Sequence, residues 1–161
     1  MKPTVAILMG SDSDLSVLKP CGEVLKEFGI PYIAKVLSAH RTPDETVEFV
    51  KSAKKNGIKV IIAAAGGAAH LAGVAAANTS LPVIGIPVET SSFKGMDSLL
   101  STVQMPAGTP VATVAVGSGG VKNAAFLAAR ILALQDAKLE KIIEKFKDDN
   151  RKKILSKEIA L

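Results

Sequence analysis

The chain has 161 residues, of which 48% are hydrophobic, so its length and composition predict one domain whose core needs no disulfides. A net charge of +5 invites a nucleic-acid partner, but 4% aromatic residues and no tryptophan leave no stacking platform for bases. We therefore expect no nucleic-acid partner, and the positive charge favours a small anionic substrate.

The cysteine content and the apolar stretches indicate where in the cell the protein works. Cys21 is the only cysteine, which excludes an internal disulfide and is typical of a reducing compartment. The start of the chain lacks the apolar region of a signal peptide. Residues 60–88 carry no charge, but Gly66, His70 and Pro82 interrupt them, so they are too short to cross a bilayer. We expect a cytoplasmic protein with no membrane partner.

Five short apolar runs predict strands, and helical patterns lie between them. The predicted strands are residues 5–9, 32–37, 60–65, 82–88 and 111–116. Strands that alternate with helices predict a parallel sheet covered on both faces. The predicted fold class is α/β, a three-layer αβα arrangement with a flavodoxin-like or Rossmann-like sheet of five parallel strands, plus a C-terminal helix.

The first two predicted helices have clear apolar faces. The first carries Leu18, Cys21, Leu25 and Phe28 on one face, and Pro20 and Gly22 within it predict a kink or a late start. The second begins at Pro43 with Thr42 as its cap and ends at Asn56 and Gly57. Its apolar stripe is formed by Thr46, Phe49, Val50 and Ala53.

The later helices differ in their surfaces. Residues 71–78 are uncharged on every side, and because a small domain covers only one side of a helix, we expect a subunit interface there. A short helix is predicted over residues 96–103, and a long amphipathic one over 124–146. We treat 1–161 as one catalytic domain with a helical extension over about 136–161. Its last residues, 152–161, either pack on a neighbour or fray.

Polar or glycine-rich loops follow most of the predicted strands. They are residues 10–14, 38–43, 66–70 and 117–120. In parallel sheets, ligands bind beyond the carboxyl ends of the strands, where the strand order reverses. One site built from these loops therefore accounts for all of them.

The chemistry of these loops favours acid–base work on a phosphorylated substrate. No G-x-G-x-x-G, G-x-x-x-x-G-K-[ST] or G-x-S-x-G motif occurs, so dinucleotides, nucleoside triphosphates and a seryl nucleophile are poorly supported. His40 supplies an imidazole, the type of side chain suited to giving and taking protons, and Arg41 offers a planar fork for phosphate or carboxylate. Ser11 and Ser13 suit a phosphate and Asp14 suits ribose hydroxyls, although plain helix capping explains this loop equally well. We expect no metal, because His40 and His70 lack further ligands in the sequence.

Five stretches of sequence resemble the N5-carboxyaminoimidazole ribonucleotide mutase family of purine biosynthesis. They are G-S-D-S-D at 10–14, S-A-H-R-T-P at 38–43, A-G-G-A-A-H-L at 65–71, D-S-L-L-S-T-V-Q-M-P at 97–106 and N-A-A at 123–125. The resemblance covers nearly the whole chain in order. One departure is Ala72, where the family usually has proline.

The resemblance implies a reaction and roles for individual residues. The implied reaction moves a carboxylate from nitrogen to a ring carbon, giving 4-carboxy-5-aminoimidazole ribonucleotide, with no cofactor or metal, and His40 is the implied general acid and base. The implied binding residues for the nucleotide, its base and CO2 are Ser11, Ser13, Asp14, Ser38, Arg41, Gly67, Ala68, Ala69, His70 and Leu71. The family also implies a homo-octamer with shared active sites.

Two alternatives stay open at this point. A sister branch carboxylates aminoimidazole ribonucleotide directly with CO2 on the same fold, and Arg41 rather than lysine favours the mutase. The other alternative is a non-catalytic module that binds a phosphorylated ligand, in which His40 is dispensable.

Overall fold

The computed structural model describes residues 2–90 and 92–159. The described strands are β1 (Val5–Met9), β2 (Tyr32–Val36), β3 (Val60–Gly66), β4 (Val83–Val88) and β5 (Ala112–Thr113). The helices are α1 (Leu15–Glu27), α2 (Pro43–Ala53), α3 (Leu71–Ala77), α4 (Met96–Val103), α5 (Ser118–Ala133) and α6 (Ala137–Leu155). A 3-10 turn, Asp12–Asp14, leads into α1.

The strands form one parallel sheet in the order β2-β1-β3-β4-β5, which confirms the predicted α/β fold. In its register, Val5 of β1 lies between Tyr32 of β2 and Val60 of β3. The chain therefore leaves β1 toward one side of the sheet and returns to the other side through β3. This reversal at β1 is where such a sheet binds ligands.

Alternate residues of each strand feed two separate cores. Ile7, Ile62 and Ile84 face α1 and α5, whereas Leu8 and Ile61 face α2 and α3. All five side chains are buried, and each contributes about 1.5–3 kcal/mol of burial free energy. The sheet is thus covered on both faces, as predicted.

Helix α1 carries the predicted face, since Leu18, Cys21 and Leu25 are buried within it. The predicted late start is wrong, because the helix begins at Leu15 and passes through Pro20. Gly22 has a packing role, since a Cβ atom there would lie 2.6 Å from the Tyr32 hydroxyl.

Strand β5 is much shorter than predicted. Only Ala112 and Thr113 pair with β4, although the Val114 amide still donates to the Gly85 carbonyl at 3.0 Å. The chain then turns away, because the start of α5 lies directly on Ala115, and a Cβ on Gly120 would meet the Ala115 carbonyl. Packing of α5 therefore ends the strand before the apolar run ends.

The predicted helix over 124–146 is two helices, which corrects that expectation. Helix α5 ends at Ala133, and the Asp136 carboxylate starts α6 by accepting the amides of Lys138 and Leu139 at 3.0 and 3.1 Å. The two helices fold back on each other through aromatic contacts between Phe28, Phe126 and Phe146, with ring centroids 5.0–5.7 Å apart. A helical periodicity that continues across a turn does not reveal the turn.

Two further expectations concern the surface. Within residues 2–90 and 92–159, no helix combines the length and apolarity that crossing a membrane requires. The predicted C-terminal arm is helical as far as Leu155, and its last two residues, 160 and 161, lie outside the described part.

Candidate active site

A cavity of about 350 Å³ lies at the carboxyl edge of the sheet, above β1 and its two neighbours. The loops after β1, β2, β3 and β4 supply its walls: Gly10, Ser11, Asp14, Ser38, Ala39, His40, Arg41, Ala65, Gly66, Ala68, His70, Leu71 and Thr90. Three larger depressions lie elsewhere, one of about 680 Å³ beside α2, one of about 740 Å³ between α5 and α6, and one of about 550 Å³ near Gly57 and the end of α5. They contain no histidine, so chemistry rather than size selects the smaller cavity.

The first loop forms a capping box that also faces the cavity. The Ser11 hydroxyl accepts from the Ser13 amide, and the Ser11 amide donates to the Asp14 carboxylate, both at 3.3 Å. Burial raises the pKa of Asp14 above its ordinary 3.8, and the Ser11 amide and the Arg41 charge offset this only in part. Ser11 and Asp14 form the capping box and also line the cavity, so capping does not prevent them from binding a ligand.

The second loop is held by Thr42, but not by a helix cap. Thr42 occupies the predicted cap position of α2, yet its hydroxyl makes no cap bond. Instead, it accepts from the Ser38 amide at 2.9 Å and donates to the Ser38 carbonyl at 3.2 Å. These two hydrogen bonds fix the five-residue turn, residues 38–42, that presents His40 and Arg41.

Arg41 joins the second loop to the first. The Ser38 hydroxyl accepts from the Arg41 amide at 3.2 Å, and the Arg41 guanidinium donates to the Gly10 carbonyl. The guanidinium is therefore oriented before any ligand binds, and its remaining donors are free to form charge-assisted hydrogen bonds with an anion.

The third loop brings His70 against His40. His40 Nε2 lies 2.8 Å from His70 Nδ1, and the rings meet edge to face with centroids 4.9 Å apart. One of these nitrogens donates and the other accepts, in roles that the ring tautomers decide. Among the described residues, neither ring is hydrogen-bonded to a carboxylate.

The structure brings most of the predicted site residues together. Of the predicted set, three do not line the cavity: Ser13 is exposed behind the capping box, Gly67 forms a turn with φ of +64°, and Ala69 is buried beneath the loop. The loop at 117–120, which we expected to contribute, lies outside the cavity as well.

Thr90 is the cavity residue that sequence reasoning missed. It follows β4 at the same edge of the sheet, so the rule that selected the other loops also selects this one. Its loop lacks histidine and the glycine pairs that drew attention to the others.

No metal site is visible in the part of the chain described here. Within residues 2–90 and 92–159, no group of three or more histidine, cysteine, aspartate or glutamate side chains is placed to hold an ion. The polar groups of the cavity are two imidazoles, a guanidinium, a carboxyl and hydroxyls, a set that suits an anionic nucleotide.

Comparison with known proteins identifies the family. The family model described as AIR carboxylase matches residues 4–153. The chain belongs to this family. It is 54% identical over 154 residues to the N5-carboxyaminoimidazole ribonucleotide mutase of Saccharolobus solfataricus, with 96% of each chain covered. It is 52% identical to the mutase of Thermotoga maritima, covering 96% of this chain and 90% of that protein.

A solved structure agrees with the fold. The crystal structure of Treponema denticola PurE superposes with a TM-score of 0.86 at 34% identity, covering 95% of this chain and 94% of that one. The family resemblance drawn from the five sequence motifs and the flavodoxin-like arrangement are both confirmed.

Proposed function

We propose that the protein converts N5-carboxyaminoimidazole ribonucleotide to 4-carboxy-5-aminoimidazole ribonucleotide, as an isomerase of purine biosynthesis. The observation that carries the proposal is the His40–His70 pair, which lies in one cavity with Arg41, Ser11 and Asp14. Relatives that share about half of their residues with this chain, over nearly its full length, are named for this reaction.

The cavity suggests how the nucleotide binds. Arg41 and the hydroxyls of Ser11 and Ser38 bind the phosphate, with Ser13 assisting through the loop that it stabilises. Asp14 accepts from the ribose hydroxyls. Because its pKa is raised by burial, hydrogen bonds from a bound ribose would stabilise the ionised form that burial disfavours.

The glycine-rich loop at the other wall receives the base. Of the predicted residues Gly67 to Leu71, Ala68 and Leu71 line the cavity beside His70, and Gly67 and Ala69 shape the loop behind them. The apolar part of this wall suits CO2, which needs a site with little water so that it is neither hydrated nor lost.

The chemistry follows from one group that both gives and takes a proton. The C–N bond of the carbamate breaks and CO2 leaves. The electron pair of that bond stays on the nitrogen, which takes a proton from His40. The ring carbon then attacks the retained CO2, and its own proton passes to His40, which restores the aromatic ring. His40 therefore ends in the state in which it began, with His70 as its hydrogen-bonded neighbour.

We also propose that the protein works as an octamer with shared active sites. An apolar stripe on α4 supports this, since Met96, Leu100 and Val103 are about half exposed and lie at helical spacing. Helix α3, where we expected an interface, buries Leu71, Ala72 and Ala75 against its own sheet, and Ala77 remains exposed. Light scattering on the wild type and a Leu100→Glu variant tests the proposal, with dissociation expected in the variant.

We further propose that residues 1–161 form one catalytic domain and that it works in the cytoplasm. All five described strands belong to a single sheet. The lone, buried Cys21 is compatible with reducing conditions.

The deciding experiment offers the purified protein two substrates separately. We expect turnover of the carbamate without ATP or added bicarbonate. The family model is described by the carboxylase activity, so the second candidate is direct carboxylation of aminoimidazole ribonucleotide with CO2. Product from that substrate and none from the carbamate would assign the second reaction, and turnover of neither would leave a binding module.

A further inference from the structure

Thr90, in the cavity wall, is held by a residue behind the cavity. Its hydroxyl donates to the Asp97 carboxylate at 3.2 Å. Asp97 lies in the first turn of α4 and does not line the cavity. An ionised carboxylate only accepts hydrogen bonds, so it engages the hydroxyl branch of Thr90 and not the methyl branch.

The methyl branch of Thr90 lies on Gly66. A Cβ atom built on Gly66 would be 2.9 Å from Thr90 Cγ2, so the methyl group occupies the space that a side chain would take. Gly66 opens the loop that carries His70, and that loop is tightened by the His70 amide, which donates to the Ala68 carbonyl at 2.9 Å. Because this short loop joins Gly66 to His70, we expect a shift at Gly66 to displace the His70 ring.

The loop between β4 and α4 is anchored at a second point. The buried Ser98 hydroxyl donates to the Val88 carbonyl at 2.8 Å. This anchor fixes the backbone on the Val88 side, but it does not select the rotamer of Thr90. The hydrogen bond to Asp97 selects that rotamer. If the hydroxyl and methyl groups of Thr90 exchanged places, the hydroxyl would lie on Gly66 and the methyl would lie against the Asp97 carboxylate.

We propose that Asp97 is a positioning residue for the proton-transfer pair. By accepting the Thr90 hydroxyl, it keeps the Thr90 methyl on Gly66, which keeps His70 within hydrogen-bond distance of His40. The inference rests on the proposed function for its effect on turnover, whereas its effect on the histidine pair does not depend on the reaction.

The sharpest test is a rescue. Asp97→Ala frees Thr90 to rotate, and we expect a loss in kcat of about 10- to 100-fold, as expected when a reacting group shifts by about 1 Å. Thr90→Ser keeps the bond to Asp97 but removes the methyl, so we expect a similar loss. In the double variant Asp97→Ala with Thr90→Val, valine carries methyl groups on both branches, and most of the lost kcat should return. Asp97→Asn, which still accepts the hydroxyl, should stay closer to the wild type than Asp97→Ala.

A second readout is independent of turnover. His40 and His70 are the only histidines in the chain, so NMR of 15N-labelled histidine reports on this pair alone. A hydrogen bond between two ring nitrogens couples their 15N nuclei, so the histidines are coupled only while Nε2 of His40 and Nδ1 of His70 stay in contact. We expect this nitrogen–nitrogen coupling in the wild type and in the double variant, and its loss in Asp97→Ala and Thr90→Ser.

The control is Thr102→Val, a matched change in the same helix. Thr102 is buried and donates to the Ser98 carbonyl at 2.7 Å, away from the cavity. We expect the Thr102→Val variant to be less stable than the wild type but to keep the coupling between His40 and His70. The proposal is overturned if the double variant is no better than Asp97→Ala, or if the pair stays coupled in both Asp97→Ala and Thr90→Ser. A wild type with coupled histidines and no mutase turnover would instead refute the proposed function alone.

Discussion

Replacing His40 with asparagine separates catalysis from folding most clearly. General acid–base groups contribute about 10²- to 10⁴-fold to a rate, so His40→Asn should lower kcat by that factor, or about 3 to 5 kcal/mol of barrier at 1.36 kcal/mol per tenfold. The imidazole is exposed, and its side-chain hydrogen bond is to His70. Losing one such bond costs about 1 kcal/mol of folding free energy.

The assay follows both quantities in the same preparation. For a chain of 161 residues, 1 kcal/mol corresponds to a fall in Tm of about 2–4 °C. Turnover of the carbamate is measured beside the thermal transition. His70→Asn is the matched comparison, because it removes the same bond and leaves His40 in place, so its loss in kcat should be about 10- to 100-fold, as when the His70 ring is displaced. If His40→Asn keeps more than about a tenth of the wild-type kcat, or if His70→Asn loses more than His40→Asn, His40 is not the acid–base group.

Three further predictions test the packing and titration of other groups. Gly22→Ala should gain less than the about 1 kcal/mol of unfolding free energy that alanine brings to a helix, measured by urea titration, since its Cβ would lie 2.6 Å from the Tyr32 hydroxyl and must displace it; adding Tyr32→Phe should recover the gain, and no recovery would disprove the clash. Burial raises the pKa of the Cys21 thiol to about 12, so a thiol reagent at pH 8 should modify it only after unfolding, and rapid labelling of the native protein would contradict this. Because the pKa of Asp14 is raised in the folded protein, its ionisation destabilises the fold as pH rises through the folded pKa. Asp14→Asn should therefore be more stable than the wild type at pH 7, and this advantage should shrink as pH falls toward 3.8. A difference in Tm that stays constant with pH would refute this.

The strand-and-loop plan could be predicted because it depends on local patterns. Buried parallel strands are continuous apolar runs, so β1 was predicted to the residue and β3 and β4 to within one. The rule that ligands bind beyond the carboxyl ends then selected the loops that carry His40 and His70. This prediction requires no knowledge of the distances between the loops.

The errors arise where tertiary contacts override local patterns. The apolar run of β5 is cut short because α5 packs on Ala115, and the helix pattern after Ala124 hides a turn made by Asp136. Thr90 was missed because its loop has neither a histidine nor a glycine pair, and its contacts with Gly66 and Asp97 exist only in the folded chain. The contact between the two histidines was likewise beyond prediction, since it depends on how two loops tilt.

The cavity concentrates features that oppose stability. Asp14 carries a carboxyl whose ionised form is disfavoured by burial, and Gly67 needs a left-handed backbone at φ of +64°. Two imidazoles lie in contact, although protonating both would place like charges 2.8 Å apart. A fold selected for stability alone would replace each of these groups, and their convergence at one strand edge is what a site for acid–base chemistry requires. Burial of the apolar strands beneath supplies the free energy that keeps these destabilising groups in place. The costly residues therefore lie in the loops, and the apolar residues lie in the sheet.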